Sequence, residues 1–85
     1  MLAEHSLVVL TRDIADAGLR AGDVGAVVHV YSVGDAYEVE FVDGDGTTIA
    51  VVTLESQDVR PIGSGELLHT RRRVVAEQVD ARERD

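Results

Sequence analysis

Gly22-Asp23-Val24-Gly25-Ala26-Val27-Val28-His29-Val30-Tyr31, followed by Tyr37-Glu38-Val39-Glu40-Phe41-Val42 and by Thr47-Thr48-Ile49-Ala50-Val51-Val52-Thr53-Leu54, is the stretch that decides the fold. Its middle segment alternates cleanly. Tyr37, Val39 and Phe41 fall on one face and Glu38, Glu40 and Val42 on the other, the period of two expected of a strand with one wet face. In the first segment the same period places Val24, Ala26, Val28 and Val30 toward the core, with Val27, His29 and Tyr31 outside. The third segment is blurred, since Ala50, Val52 and Leu54 on one side are no more apolar than Ile49, Val51 and Thr53 on the other, which leaves both faces open to cover. Ser32-Val33-Gly34-Asp35 and Asp43-Gly44-Asp45-Gly46 supply turns, the second of the Asp-Gly hairpin type. The result is a three-stranded antiparallel meander.

Outward from the meander, Ser6-Leu7-Val8-Val9-Leu10 is a short apolar run suited to a strand. Thr11 to Ala21 reads as an irregular connection with a helical turn over Asp13 to Ala17, and Ile14 and Leu19 are spaced to tuck over an open end of a barrel. Glu55-Ser56-Gln57-Asp58 resembles a single helical turn. Val59-Arg60-Pro61-Ile62 is a short closing strand, because the residue before proline is driven to extended angles and proline suits a sheet edge. Beyond Gly63-Ser64-Gly65 the spacing of Leu67, Leu68, Val74, Val75 and Val79 changes to about three, four and seven. It predicts an amphipathic helix from about Ser64, as N-cap, to Arg82, with Glu66 in its first turn and Arg82 and Arg84 in its last. That stripe is expected to dock on the barrel or to pair with a second copy of itself.

Eighty-five residues make one domain, which buries about 60–65% of the surface of its unfolded chain and leaves little room for a deep cleft. With no cysteine, neither a disulfide nor a thiolate metal site can hold it together. Residues 1–62 carry eleven acids against Arg12, Arg20 and Arg60, and residues 63–85 carry five acids and five arginines, so the whole net charge of −8 belongs to the first part. Such a body repels phosphate backbones and favours basic surfaces. Met1 to His5 has an acid where a secretory leader carries positive charge, and no apolar run approaches the length of a membrane span. A cytoplasmic, soluble protein is expected.

No residue set rises to a reactive site. Asp43 to Thr48 begins like a calcium loop, but Thr47, Thr48 and Leu54 stand where that loop needs an oxygen ligand, a glycine and a bidentate acid. Glu38 and Glu40 lie about 7 Å apart on one strand face, a glycosidase-like separation, yet an open face offers no cleft to raise either pKa. His5, His29 and His69 have no partner at metal-site spacing. Ser6, Ser32, Ser56 and Ser64 lack a nucleophile-elbow context. Arg71-Arg72-Arg73 spreads over about 200° of a helix, with no interleaved aromatics to stack on bases. The expectation is therefore a non-enzymatic chain without cofactor or metal. Its partner contacts are expected at Val27, His29, Tyr31, Glu38 and Glu40 on the barrel and at Leu67, Leu68, Val75 and Val79 on the helix.

Strand, long connection, meander, helical turn and closing strand is the element order of an SH3-like barrel. Ala21 to Val30 also resembles the KOW motif of ribosomal and transcription-elongation proteins. Gly22 to Val28, Tyr37 to Asp43, Gly46 to Ala50 and Thr53-Leu54 are similar to a family of small prokaryotic proteins, a domain of unknown function. That family's pattern runs Gly-x-Val-Gly-Thr-Val-Val, Tyr-Glu-Val-Glu-Phe-Val-Asp, Gly-x-Thr-x-Ala and Thr-Leu, with Ala26 here in place of a threonine. The likeness covers residues 6 to 62 and leaves the tail outside. It implies a small partner protein of antitoxin or immunity type. The fold expected is mainly β: a small SH3-like five-stranded antiparallel barrel over residues 1–62, then a C-terminal amphipathic α-helix and frayed tail over residues 63–85. Its function would be to bind a more basic protein, or a second copy through the helix; the alternative is a KOW-like nucleic-acid-binding protein.

Overall fold

The computed structural model describes residues 2–32 and 35–73. Five strands, β1 (Leu7–Leu10), β2 (Val24–Val30), β3 (Ala36–Val42), β4 (Thr48–Glu55) and β5 (Val59–Pro61), form one antiparallel sheet in the order β4-β3-β2-β1-β5. Single 3-10 turns at Ala15–Ala17 and Ser56–Asp58 fall where helical turns are expected. The Asp43 hairpin closes through the N–H of Gly46 to the carbonyl of Asp43, with Gly46 at φ 82°, a conformation that favours glycine.

β1 joins the two halves of the chain. It pairs with β2 on one side, Val8 opposite Gly25, and with β5 on the other, Val8 opposite Pro61. Val8, Leu10, Val27, Val39, Leu54, Tyr37 and Phe41 form one buried cluster, and Leu19 and Ile14 from the long connection pack into it. An open sheet can bury so much on one face without a second layer only by curling around its own core, so the architecture is barrel-like. β4 and β5 remain edges rather than closing on each other.

Two expectations are corrected. The first concerns β2, where the register moves from Val27 opposite Val39 to His29 opposite Glu38, so Val28 is an extra residue in a β-bulge. Ahead of the bulge Val27 stands opposite the core residue Val39 and is buried at 0% exposure, while Val28 stands 39% exposed, the reverse of the expected faces. Val30 re-enters the core side three residues after Val27.

The second correction concerns the start of the tail, residues 64–73 of the expected helix. The segment Gly63–Arg73 contains no helix. Glu66 N–H bonds the carbonyl of Gly63 in one turn, and the Glu66 carboxylate accepts from Gly63 N–H at 2.6 Å and from both terminal nitrogens of Arg60 at 2.7 Å. Held from behind in this way, Glu66 ends the turn instead of opening a helix, and Ser64 sits inside that turn. Val74, Val75, Val79 and the remainder of the expected helix lie outside the described residues. No helix among the described residues is long and apolar enough to cross a membrane.

Candidate partner-binding surface

The bulge shapes the outer face of the meander. Because Val28 and His29 both turn outward opposite Glu38, the imidazole of His29 meets the ring of Tyr31 edge-on, with centroids 4.6 Å apart at 81°. Tyr31 donates its hydroxyl hydrogen to Glu38 Oε1 at 3.1 Å, and Thr53, opposite Glu38 on β4, donates to the same oxygen at 2.6 Å. Glu40 accepts from Thr48 Oγ1 at 2.5 Å. The Glu38 carboxylate holds the Tyr31 phenol above its ordinary pKa, since a phenolate beside it would be a second negative charge. Four apolar side chains stand exposed around these acids: Val28 and Tyr31 at 39%, Val51 at 49% and Val42 at 53%.

Of the expected contact residues, His29, Tyr31, Glu38 and Glu40 are thus brought together on one mixed face. Val27 is removed from it, because it pairs with Val39 and its side chain packs into the core. Glu4 reaches His29 Nδ1 at 3.8 Å from the N-terminal segment.

Leu67 and Leu68 belong to a second surface. They are 93% and 66% exposed on an extended strap, Gly63–Arg73, which lies over the side of the sheet that carries Val9, Val24 and Arg60. The strap is tied at both ends. Arg60 clasps Glu66 near its start; near its end Arg71 binds Asp23 through Nε at 2.9 Å and Nη2 at 2.7 Å, and donates to the carbonyl of Gly18. Two clefts, of about 210 and 320 Å³, open along it, the first beside Leu19 and Phe41 and the second beside Val9 and Ile62. Nothing in the local spacing signals the Arg71–Asp23 tie, whose members are 48 residues apart.

The Arg60 clasp and the Gly63 N–H draw the Glu66 carboxyl down to about 2. Asp23 is partly buried, which pushes its pKa up, but the Arg71 guanidinium and the Arg20 N–H outweigh this and leave it lowered. A lowered folded pKa means that the contribution is complete above the unfolded carboxylate pKa of about 4 and is lost as pH falls through the folded value. The strap should therefore stay tied at neutral pH, begin to weaken below about pH 4, and lose the Glu66 tie as pH falls toward about 2. Arg71→Ala should loosen it at neutral pH, measured as lower backbone NMR order parameters over Leu67–Thr70 with unchanged values in β2 and β3. Unchanged strap order parameters in that variant would mean the tie holds nothing.

The Asp43–Gly46 stretch forms the hairpin turn expected of it. Asp43 Oδ1 accepts from the N–H groups of Asp45 and Thr47 at 2.9 and 3.0 Å, the side-chain bracing of a hairpin turn. A family model described as a domain of unknown function, DUF4926, matches residues 4–61. The chain belongs to that family. Searches of curated proteins and of solved structures returned no match. The DUF4926 region ends on Pro61, the last residue of β5, so it contains the sheet and the His29-Tyr31-Glu38-Glu40 face and leaves out the strap.

Proposed function

We propose that this chain is an SH3-like barrel acting in the cytoplasm as a non-enzymatic protein-interaction module, of antitoxin or immunity type, for a more basic protein encoded beside it. The observation that carries the reading is the outer face of the meander. Two carboxylates fixed by threonine and tyrosine hydroxyls stand among exposed Val28, Tyr31, Val42 and Val51. Aromatic and aliphatic anchors ringed by charge suit a basic protein surface, and the strand order supports the SH3-like topology. Leu67 and Leu68 would add a second, apolar contact. The KOW-like alternative gains little, because Arg71 of the basic run is spent on Asp23.

The test is binding between the chain and the product of the neighbouring gene, measured at rising salt. Affinity should fall as salt rises, and Glu38→Gln with Glu40→Gln should weaken it about tenfold or more, while leaving the urea midpoint nearly unchanged. Equal binding by the wild type and the double variant would defeat the proposal.

A further inference from the structure

The two edges of the sheet are built differently. β5 is three residues long and carries Arg60 and Pro61, with the Arg60 guanidinium occupied by Glu66. Short length, charge and proline are the usual means of keeping an edge from pairing. β4 has none of them: it is eight residues long, uncharged from Thr48 through Leu54, and free of proline. Its one irregularity is the register shift near Phe41, which leaves Ala50 to Glu55 in unbroken pairing with β3. Among the described residues, β3 is its one strand neighbour.

Backbone directions along this edge follow from one hydrogen bond. Tyr31 N–H donates to the carbonyl of Ala36, so Ala36 turns its polar groups toward β2. Alternation then turns Tyr37, Val39 and Phe41 toward β4, and their partners Leu54, Val52 and Ala50 back toward β3. Val51 and Thr53 therefore present their own N–H and C=O groups outward.

We propose that β4 is a self-association edge: two copies of this chain join antiparallel through β4, with Val51 near the two-fold axis, and continue one sheet across both. The strand is complementary to itself in that arrangement. Val51 faces Val51 of the second copy and Ala50 faces Val52, giving small apolar cross-strand pairs with no charge opposite a charge, while Ile49, displaced at the register shift, packs against the core. Glu38 and Glu40 sit one strand back on β3, about 14 Å from the corresponding strand of the other copy, beyond the screening length of physiological salt. A basic extended segment would be served by carboxylates on β4 itself, and β4 has none before Glu55. A second copy suits that uncharged lane better.

One strand pair makes an interface below about 1,200 Å², so the dimer is expected to be weak and to form at roughly tens to hundreds of micromolar. Sedimentation equilibrium of the full chain across that range should show a monomer–dimer equilibrium. Val51→Pro removes an outward N–H and no internal ladder bond, so the variant should keep the wild-type circular dichroism spectrum and sediment as a monomer. In a chain without cysteine, Val51→Cys should cross-link into a dimer under mild oxidation and Thr47→Cys, far from the axis, should not. Should Val51→Pro fail to fold, the cysteine pair decides alone. A wild type that stays monomeric throughout, a folded Val51→Pro that still dimerises, or equal cross-linking at the two cysteines overturns the proposal. The dimer is read by sedimentation and cross-linking with no partner present, so its outcome is separate from that of the Glu38 and Glu40 variants.

Discussion

Gly25→Ala is expected to destabilise the fold by about 3 kcal/mol, the upper end for overpacking a tight site. Gly25 faces the core from β2, and a Cβ built there lies 2.7 Å from Val39 Cγ1, 2.8 Å from Phe41 Cε2 and 2.9 Å from the backbone oxygen of Glu40. A side chain can rotate away from a new methyl group. The Glu40 carbonyl cannot, because it belongs to the neighbouring strand. Relief would require β2 and β3 to separate where Ala26 pairs with Glu40. For a domain of this size the loss should lower the melting temperature by more than about 10 °C and shift the urea midpoint at unchanged slope. A change smaller than about 0.5 kcal/mol would show that the strands yield easily, contrary to this packing.

The second large effect is expected from Asp58→Ala, at about 2 kcal/mol. Asp58 is 8% exposed, and its carboxylate accepts from the backbone N–H of Glu55 at 3.0 Å, closing the capping box of the turn between β4 and β5. Its other oxygen accepts from Arg12 Nε at 2.8 Å, while its carbonyl accepts from Thr11 N–H. One residue thereby fixes the start of β5 against the end of β1. Most of the cost comes from the orphaned N–H and the broken cap, since the Arg12 side chain is largely in solvent and an exposed partner contributes little. Asp58→Asn keeps the shape and should cost less.

The same residue gives a pH dependence. Hydrogen bonding from Arg12 and from the Glu55 N–H lowers the Asp58 pKa, so its stabilisation is present above the unfolded value near 4 and fades as pH falls through the lower folded value. Wild type should lose stability on acidification below about pH 4 by more than Asp58→Ala does. Parallel acid curves for the two would remove Asp58 from the account.

The meander was legible because β3 alternates without interruption, and because the glycine and aspartate turns bound it. β2 misled for a physical reason. A strict period of two cannot express a bulge, and Val24 to Val28 is so uniformly small and apolar that either face reads as core. Gly25 inside that run was the available signal: a glycine within a strand marks either a bulge or a close backbone approach, and here it faces the tight approach to Phe41 while the bulge lies at Val28. The tail differs only over its described residues. Leu67 and Leu68 carry part of a helical stripe, but Glu66 is clasped by Arg60 and Arg71 by Asp23, partners outside the segment, and Gly63–Arg73 is not helical. Pairs such as Arg71 with Asp23 depend on tertiary position, which local spacing does not encode. Glu38 and Glu40 alternate with buried Tyr37, Val39 and Phe41, whereas the threonines that orient them appear only once the β3–β4 register is known.

The position of β1 bears on how the chain is made. Its second neighbour, β5, lies some fifty residues downstream, so during synthesis the opening strand must wait until nearly the whole family region has left the ribosome before both its sides are paired. The meander, whose contacts are sequentially close, can assemble while that happens. A nascent chain halted before Val59 should therefore display a protected β2–β3–β4 unit with its first strand still accessible to proteases, and the completed domain should appear only once Pro61 has emerged.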